Sequence, residues 1–476
     1  MIKPEFDICV IGGGAAGLVV AAGGASLGAK VALVEKQALG GDCLYYGCVP
    51  SKSLLQSANV AHTMRKANRF GVDSHNPQVS IADVMARVDS VIKTIEPHDS
   101  PERFRGLGVD VIFGVGEFVD PGTFKVNDRS ITAKNFVIAT GSRPAVPSIE
   151  GIDGVPYLTN ETLFSLREPV PSLIVLGGGP IGVEMAQAFA RLGTRVQLVQ
   201  RRSQVLPKED PDLVEVVANS LMADGVELLT GHKPVSVAGE AGDIRFTVET
   251  PDGGKRTLQA THLLVATGRR SNTELLGLEA AGVIVDKGHV QVDRRLRTSN
   301  RRIYAAGDVI GGHQFTHMAE HYAGVVLRNA LFHLPAKVEE KVIPWATFTD
   351  PELARVGVSE TEAKAQGIKY QVYTFPFQDI DRAQADGTVE GLAKIITNPK
   401  GKLLGAALAG PHAGELIHEY VLALAKGMKA ADLSGVIHIY PTLAQINRRV
   451  ADARMKAGLT PNAKKWMKRI FRLRGS

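Results

Sequence analysis

Residues 6–17 read FDICVIGGGAAG, an apolar run that passes directly into a cluster of glycines. The run predicts a buried strand from Phe6 to Ile11, followed by a tight turn and a helix. A second apolar strand, Val31 to Val34, leads to Glu35. In such a βαβ unit the glycines let a pyrophosphate approach the helix N-terminus, and the acid binds ribose hydroxyls. The pattern therefore predicts a dinucleotide site formed by Gly12, Gly14, Gly17 and Glu35.

The same pattern recurs between residues 173 and 200. An apolar strand, Leu173 to Leu176, precedes a second glycine cluster and a helix, and a further strand runs from Arg195 to Val199. Two such units predict two bound dinucleotides. The glycines of the second predicted site are Gly177, Gly179 and Gly182.

The acid position of the second unit carries Gln200, which is followed by Arg201 and Arg202. NADPH is favoured here for two reasons. The carboxylate that an NAD site usually carries, and that would repel a 2′-phosphate, is missing, and the two guanidiniums can pair with a 2′-phosphate. Arg202 is nearly as well explained as solvated surface charge. NADH stays open as the alternative coenzyme.

Between the two units, residues 40–52 read GGDCLYYGCVPSK and hold two of the three cysteines of the chain. Four residues separate Cys43 from Cys48, a spacing that closes a small disulfide if the backbone bends, and the sequence leaves this geometry open. The residues after Pro50 read as a helix, whose N-terminus together with Lys52 would lower the pKa of a nearby thiol. Two thiols beside a nucleotide site indicate electron transfer.

These motifs and their order resemble those of the class I pyridine nucleotide–disulfide oxidoreductases, almost from end to end of the chain. The resemblance implies an α/β fold with two Rossmann-like dinucleotide-binding domains, for FAD and NAD(P), and a C-terminal α+β dimerisation domain. It implies an FAD-binding domain at residues 1–150 and 270–340 and a NAD(P)H-binding domain at 151–269. An interface domain at 341–455 and a basic amphipathic tail at 456–476 complete the expected homodimer subunit.

The resemblance also implies roles for single residues. Cys43 would be the thiol that meets substrate, and Cys48 the thiolate that lies against the flavin. Lys52 would lie near flavin N5, pair with Glu184 and stabilise negative charge on the reduced flavin. Electrons would pass from the nicotinamide to FAD and then to the Cys43–Cys48 disulfide. The other cofactor-binding residues implied by the family motifs are Gly41, Gly116, Thr140, Gly141, Ser142, Gly268 and Asp308.

One motif departs from the family pattern. Residues 437–445 read IHIYPTLAQ, where disulfide-reducing members carry a histidine and a glutamate that act as an acid–base pair. Tyr440 occupies the histidine position and Gln445 the glutamate position. A phenol, with an ordinary pKa of about 10, is a poor base near neutrality, whereas histidine at about 6.5 is well matched. His438, two residues upstream, is interpreted as a structural histidine.

A tyrosine at this position resembles the pattern of the mercuric reductases. However, no cysteine that could deliver a metal ion follows Cys48 in the chain. The sequence is therefore interpreted as a mercuric reductase-like enzyme without the metal-relay parts and without a resident metal site. Its acceptor would be a disulfide, a thiol-bound metal or another small or protein-borne oxidant. Three alternatives stay open: a dihydrolipoamide dehydrogenase-like enzyme for one lipoyl partner, a quinone-type flavin reductase, and a low-turnover redox-sensing flavoprotein.

The net charge of +6 comes from the C-terminal tail, where eight basic residues and no acid follow Asp452. A basic tail without a basic folded face does not indicate nucleic-acid binding. In a helix opened by Pro461, apolar side chains recur at helical spacing among the lysines and arginines. The tail therefore predicts either contact with a membrane surface or packing on the dimer. The N-terminal segment reads as neither a signal peptide nor a membrane span, so we expect a cytoplasmic protein.

Overall fold

The structure is a computed structural model that describes residues 4–474. Residues 1–3 of the predicted FAD-binding domain and residues 475–476 of the predicted tail lie outside the described part. Sheets of seven, four and five strands form the framework. Among the helices of residues 4–474, none is long and apolar enough to cross a membrane.

The N-terminal part forms a sheet whose central strands are parallel and buried. Its strands are β1 (Phe6–Ile11), β2 (Val31–Glu35), β3 (Asp110–Phe113), β4 (Gly116–Asp120), β5 (Thr123–Val126) and β6 (Arg129–Ile138), followed by the short β7 (Ser142–Pro144). Its helices are α1 (Ala15–Ser26), α2 (Gly41–Tyr45), α3 (Cys48–Arg65), α4 (Ile81–Ile95) and α5 (Pro101–Gly106). The spatial order is β3-β2-β1-β6-β5-β4, and β1 runs parallel to both of its neighbours. All of β1 except Asp7 is buried, because a parallel strand covered on both faces must be apolar along its length.

The middle of the chain forms a second parallel sheet and a small antiparallel one. Its strands are β8 (Ser172–Leu176), β9 (Arg195–Gln200), β10 (Glu227–Thr230), β11 (Lys233–Glu240), β12 (Asp243–Glu249), β13 (Lys255–Ala260), β14 (His262–Val265) and β15 (Arg269–Ser271). Its helices are α6 (Asn160–Leu163), α7 (Pro180–Arg191) and α8 (Pro211–Ala223). The parallel sheet has the order β10-β9-β8-β14, and the antiparallel sheet the order β11-β12-β13. Strand β15 pairs with β7, where the chain passes between the two parts.

The chain then returns to the first sheet. Strands β16 (Val285–Asp286) and β17 (His289–Val290) form a hairpin, β18 (Ile303–Ala305) pairs with β6, and helix α9 (Thr316–Phe332) packs against α1. Two separated stretches of sequence therefore build the first sheet. The exact domain limits stay a prediction.

The C-terminal part is an antiparallel sheet with helices around it. Its strands are β19 (Pro344–Thr347), β20 (Glu352–Gly357), β21 (Gln371–Pro376), β22 (Leu392–Thr397) and β23 (Leu403–Gly410), in the order β19-β20-β23-β22-β21. Its helices are α10 (Glu360–Ala365), α11 (Asp381–Asp386), α12 (Ala413–Leu416), α13 (His418–Ala425), α14 (Ala430–Ser434), α15 (Gln445–Ala457) and α16 (Pro461–Phe471). With two parallel nucleotide-type sheets and this α+β part, the predicted fold class is confirmed.

Helix α3 begins earlier than the sequence predicts. The sequence predicts a helix after Pro50, whereas the helix in the structure starts at Cys48. A proline is tolerated in the first turn of a helix, because the backbone N–H that it lacks would have no partner there. Cys48 is therefore the first helical residue, and Lys52 follows one turn later on the same side.

The third glycine of each nucleotide turn is required by close packing of the helix on the preceding strand. A Cβ atom on Gly17 would lie 1.8 Å from the carbonyl oxygen of Gly12, and a Cβ on Gly182 would lie 1.8 Å from that of Gly177. Both distances are far below van der Waals contact. Since the other atom belongs to the backbone, any side chain at these positions must push the helix off the sheet.

We predict that Gly182→Ala lowers the free energy of unfolding by roughly 1–3 kcal/mol, the usual cost of overpacking. Gly179→Ala is the matched control, because a Cβ at Gly179 meets no atom within 4 Å. Thermal unfolding without added nicotinamide coenzyme should show a lower midpoint only for Gly182→Ala. Equal midpoints for the two variants would contradict this account of the turn.

Candidate active site

Most predicted site residues line one cleft, which has a volume of about 2630 Å³. Its wall contains Gly12, Gly14, Glu35, Gly41, Cys43, Cys48, Lys52, Gly116, Thr140, Gly141, Ser142, Gly177, Gly179, Glu184, Gln200, Arg201, Arg202, Gly268 and Asp308. Of the remaining predicted residues, Gly17 and Gly182 lie behind the wall inside their turns, and Tyr440 lies elsewhere on the surface. The fold therefore brings both nucleotide turns and both thiols of the motif to one cleft.

The two thiols lie on consecutive helices at one side of the cleft. Cys43 is in helix α2, and Cys48 opens helix α3. Neither forms a disulfide in this structure, and the two thiols are close enough for each to shift the pKa of the other. The Cys48 Sγ also lies 3.4 Å from the hydroxyl oxygen of Thr316, the first residue of α9.

The surroundings of the two thiols separate their acidities. The pKa of Cys48 is lowered to about 6, first by the hydrogen bond from Cys43 and then by the Thr316 hydroxyl and the positive charge of Lys52. The pKa of Cys43 is raised, first by its interaction with Cys48 and then by the partial burial of its side chain. These surroundings therefore favour the thiolate form at Cys48 over the thiolate form at Cys43.

Lys52 and Glu184 form an ion pair across the cleft. The Lys52 Nζ lies 2.9 Å from the Glu184 Oε2, and the other carboxylate oxygen accepts a hydrogen bond of 2.9 Å from the backbone N–H of Phe348. The Lys52 ammonium also lies 4.3 Å from the centre of the Phe348 ring. The lysine is thus held one helical turn beyond Cys48 by residues from the middle and C-terminal parts of the chain.

The residues at the first nucleotide unit fit a bound FAD. Glu35 ends strand β2 and accepts hydrogen bonds from the backbone N–H groups of Gly13, at 2.7 Å, and Gln37, at 2.9 Å. A Cβ on Gly41 would come within 2.8 Å of the Gly14 backbone, so a side chain at position 41 would crowd the first glycine turn. Deeper in the cleft, burial raises the pKa of the Asp308 carboxyl, which accepts a hydrogen bond from the Ser142 hydroxyl.

The second nucleotide unit differs from the first at the end of its strand. Gln200 is the last residue of β9 and is buried, and its side-chain oxygen accepts a bond of 3.4 Å from the backbone N–H of Arg202. Arg201 and Arg202 are exposed, and within residues 4–474 neither guanidinium pairs with a carboxylate. Both are therefore available to an anionic ligand at this end of the cleft.

Tyr440 does not face the cleft of its own chain. It is 65% exposed, and its hydroxyl donates a hydrogen bond of 3.0 Å to Asp381. His438 has one ring nitrogen 3.0 Å from a carboxylate oxygen of Glu419 and the other 3.1 Å from the backbone oxygen of Val436. Both nitrogens of this histidine are occupied, which is the arrangement of a structural histidine.

Two contacts at the thiol pair were not predicted from the sequence. Thr316 touches Cys48 from a position 268 residues later, and Phe348 contacts both Lys52 and Glu184. No local pattern marks either residue, because a single hydroxyl at a helix start or a phenylalanine before a strand is common. In the part of the chain that the structure describes, no group of three or more histidine, cysteine or acidic side chains is arranged to hold a metal ion.

Comparison with family models covers most of the chain. Residues 6–323 match the model described as pyridine nucleotide-disulphide oxidoreductase. Residues 343–450 match the dimerisation domain of the same family. The second match ends before helix α16.

Curated relatives and solved structures agree with these matches. A mercuric reductase of Staphylococcus aureus is 36% identical over 445 residues, which cover 93% of this chain and 81% of the relative. A dihydrolipoyl dehydrogenase of Bacillus subtilis is 34% identical over 459 residues, covering 93% and 96%. The structure of the HOCl-induced flavoprotein disulfide reductase RclA from Escherichia coli aligns with a TM-score of 0.84 and 28% identity, covering 94% of this chain and 99% of that one.

The charge on Cys48 predicts a pH dependence of the two-electron-reduced, flavin-loaded protein. A long-wavelength absorbance band from a thiolate against the flavin should be strong at neutral pH and fade as pH falls through about 6, where Cys48 takes up a proton. Lys52→Met should move the midpoint upward by roughly one unit, because the thiolate loses a neighbouring cation. Lys93→Met, on the exposed surface of α4, is the control. A midpoint that Lys52→Met leaves unchanged would refute the stabilisation of the Cys48 thiolate by Lys52.

Proposed function

The chain belongs to the pyridine nucleotide-disulphide oxidoreductase family, and we propose that it uses NADPH and FAD to reduce a Cys43–Cys48 disulfide, which then reduces an acceptor at Cys43. Membership makes the chain a flavoprotein oxidoreductase that takes electrons from a nicotinamide coenzyme. The observation that carries the proposal is that one cleft contains both glycine turns and both thiols. The match to the dimerisation domain supports a homodimer.

The residues of the cleft suit distinct steps of this reaction. When bound, FAD would supply the redox chemistry, which consists of accepting a hydride from the nicotinamide and passing an electron pair to the disulfide. Two electrons and one proton break the disulfide and leave Cys43 as a thiol and Cys48 as a thiolate. The ammonium of Lys52 stabilises that negative charge, and Glu184 keeps the ammonium in place.

We propose that the thiol pair handles its own proton during exchange. As the Cys43 sulfur attacks a disulfide acceptor, its proton moves along the hydrogen bond to Cys48, and one acceptor thiolate leaves. The leaving thiolate takes that proton, and Cys48 then attacks the Cys43 sulfur. The second acceptor thiolate is released, and the Cys43–Cys48 disulfide forms again.

Tyr440 favours an acceptor that demands little proton transfer. Its hydrogen bond to Asp381 raises the pKa of the phenol further, so the group stays protonated near neutrality and does not accept a proton there. A disulfide with readily leaving thiolates, or a thiol-bound metal ion, meets this condition. Relatives with the names mercuric reductase and dihydrolipoyl dehydrogenase support these two classes. Ile437 and Ile439, beside Tyr440, are 92% and 77% exposed, which supports coverage of this segment by the partner copy.

Direct reduction of a quinone is a second candidate. It is favoured by a set of nearly parallel rings in the cleft wall: the Phe315 ring centre lies 5.3 Å from that of His317 and 6.1 Å from that of Trp345. Thr316, between the first two residues, touches Cys48. Such rings can hold a planar acceptor by stacking.

Replacement of Cys43 separates the two candidates. If the disulfide lies on the route, Cys43→Ser should lower NADPH-dependent reduction of lipoamide and of aromatic disulfides by roughly 10³-fold, the scale of losing a nucleophile. Quinone reduction should fall as well. Retained quinone turnover would favour the second candidate, and negligible turnover of the unchanged protein with every acceptor would indicate a redox sensor. An unchanged flavin spectrum serves as the control for folding.

Coenzyme choice is predicted to depend on the end of β9. Gln200→Glu places a carboxylate against the 2′-phosphate, and Arg201→Ser removes a pairing cation, so each should lower kcat/KM for NADPH by about 10- to 100-fold. NADH should lose little with either variant. Arg301→Ser, an exposed arginine in the turn before β18, is the matched control. Parallel losses with both coenzymes, or none, would count against NADPH.

A further inference from the structure

Helix α16, residues Pro461–Phe471, makes little contact with the rest of residues 4–474, and only its Ala463 and Met467 are half-buried. None of its residues is buried, and Trp466, Ile470 and Phe471 are 67%, 58% and 68% exposed. A helix of this length is marginal in water unless a surface stabilises one of its faces. It also follows the last residue, 450, of the family dimerisation-domain match. A partner surface that covers the apolar face is therefore needed to explain why this helix is stable.

The two faces of α16 are chemically distinct. Side chains four residues apart lie on the same side of a helix, so α16 can be divided into four rows of side chains. Two neighbouring rows are apolar, and the other two rows are basic. The apolar rows are Ala463, Met467 and Phe471, and Trp466 with Ile470. The basic rows are Lys464 with Lys468, and Lys465 with Arg469. Trp466 and Phe471 lie at the two edges of the apolar face, where aromatic rings suit a water–lipid boundary.

We propose that α16 lies on an anionic lipid surface, with its apolar face in the headgroup region and its lysines and arginines at the lipid phosphates. The helix and the following residues to Arg474 contain no acid. A second copy of α16 would therefore bring like charges together, whereas an anionic bilayer offers charge to the basic face and apolar depth to the other. An anionic lipid surface can bury the apolar face and neutralise the basic face at the same time.

The test measures binding of the full-length, flavin-loaded protein to lipid vesicles. Vesicles of phosphatidylcholine with phosphatidylglycerol should sediment the protein, vesicles of phosphatidylcholine alone should not, and added salt should release it. Tryptophan emission should shift to shorter wavelength on binding, and Trp466→Phe should remove the shift. Equal recovery with both vesicle types would overturn the proposal.

Variants locate the contact on α16. Ile470→Glu should abolish sedimentation, and Lys464→Gln with Arg469→Gln should weaken partitioning about fivefold for each cation removed. Lys364→Gln with Arg301→Gln removes the same charge from exposed positions elsewhere and should leave binding unchanged. NADPH oxidation with a water-soluble acceptor should be unaffected in all of them.

Two results would assign the helix to something else. If a chain truncated after Gly458 binds the vesicles as well as the full chain, the contact lies outside α16. If Ile470→Glu instead converts a dimer to a monomer in light scattering, the apolar face belongs to the subunit interface. Either result overturns the lipid proposal.

Discussion

The ion pair between Lys52 and Glu184 holds three parts of the chain at the thiol pair. Lys52 extends from the helix that Cys48 opens, and Glu184 extends from α7, which begins at the second glycine turn. Phe348, just after the first strand of the C-terminal sheet, donates its backbone N–H to the same carboxylate. Because only 5% of the Glu184 side chain is exposed, loss of Lys52 would leave a buried carboxylate without full compensation. The position of the thiols relative to the nicotinamide turn depends on this pair.

Further ionic contacts join the middle part of the chain to the C-terminal part. Arg191, at the end of α7, binds Asp224 and Asp350, each at 2.7 Å. Nearer the loop that carries Arg201, the Lys394 ammonium lies within 3.4 Å of Asp210. Such contacts are directional and tolerate little displacement, so they fix the middle part against the C-terminal sheet. Within residues 4–474, helix α16 has no ionic contact of this kind.

In the proposed reaction, the tyrosine at position 440 leaves more of the proton transfer to the thiols themselves. Cys43 and Cys48 differ in acidity because the hydrogen bond between them, Thr316 and Lys52 all favour the thiolate at Cys48. A pair of this kind stores one proton and one negative charge in adjacent atoms. It needs an external base less than a pair of equivalent thiols would, and this is consistent with a tyrosine held by Asp381 at the surface.

The sequence by itself determined the two βαβ units, because strand, glycine turn, helix and terminal residue follow one another within a short stretch. Strand β1 spans Phe6–Ile11 as predicted, and Glu35 and Gln200 end their strands at corresponding positions. The grouping of Cys43, Cys48 and Lys52 is likewise local. Only the tertiary structure decided which thiol carries the charge and where Tyr440 and His438 find their partners. Those outcomes depend on Thr316, Asp381 and Glu419, which long-range packing brings into contact and no periodic pattern marks.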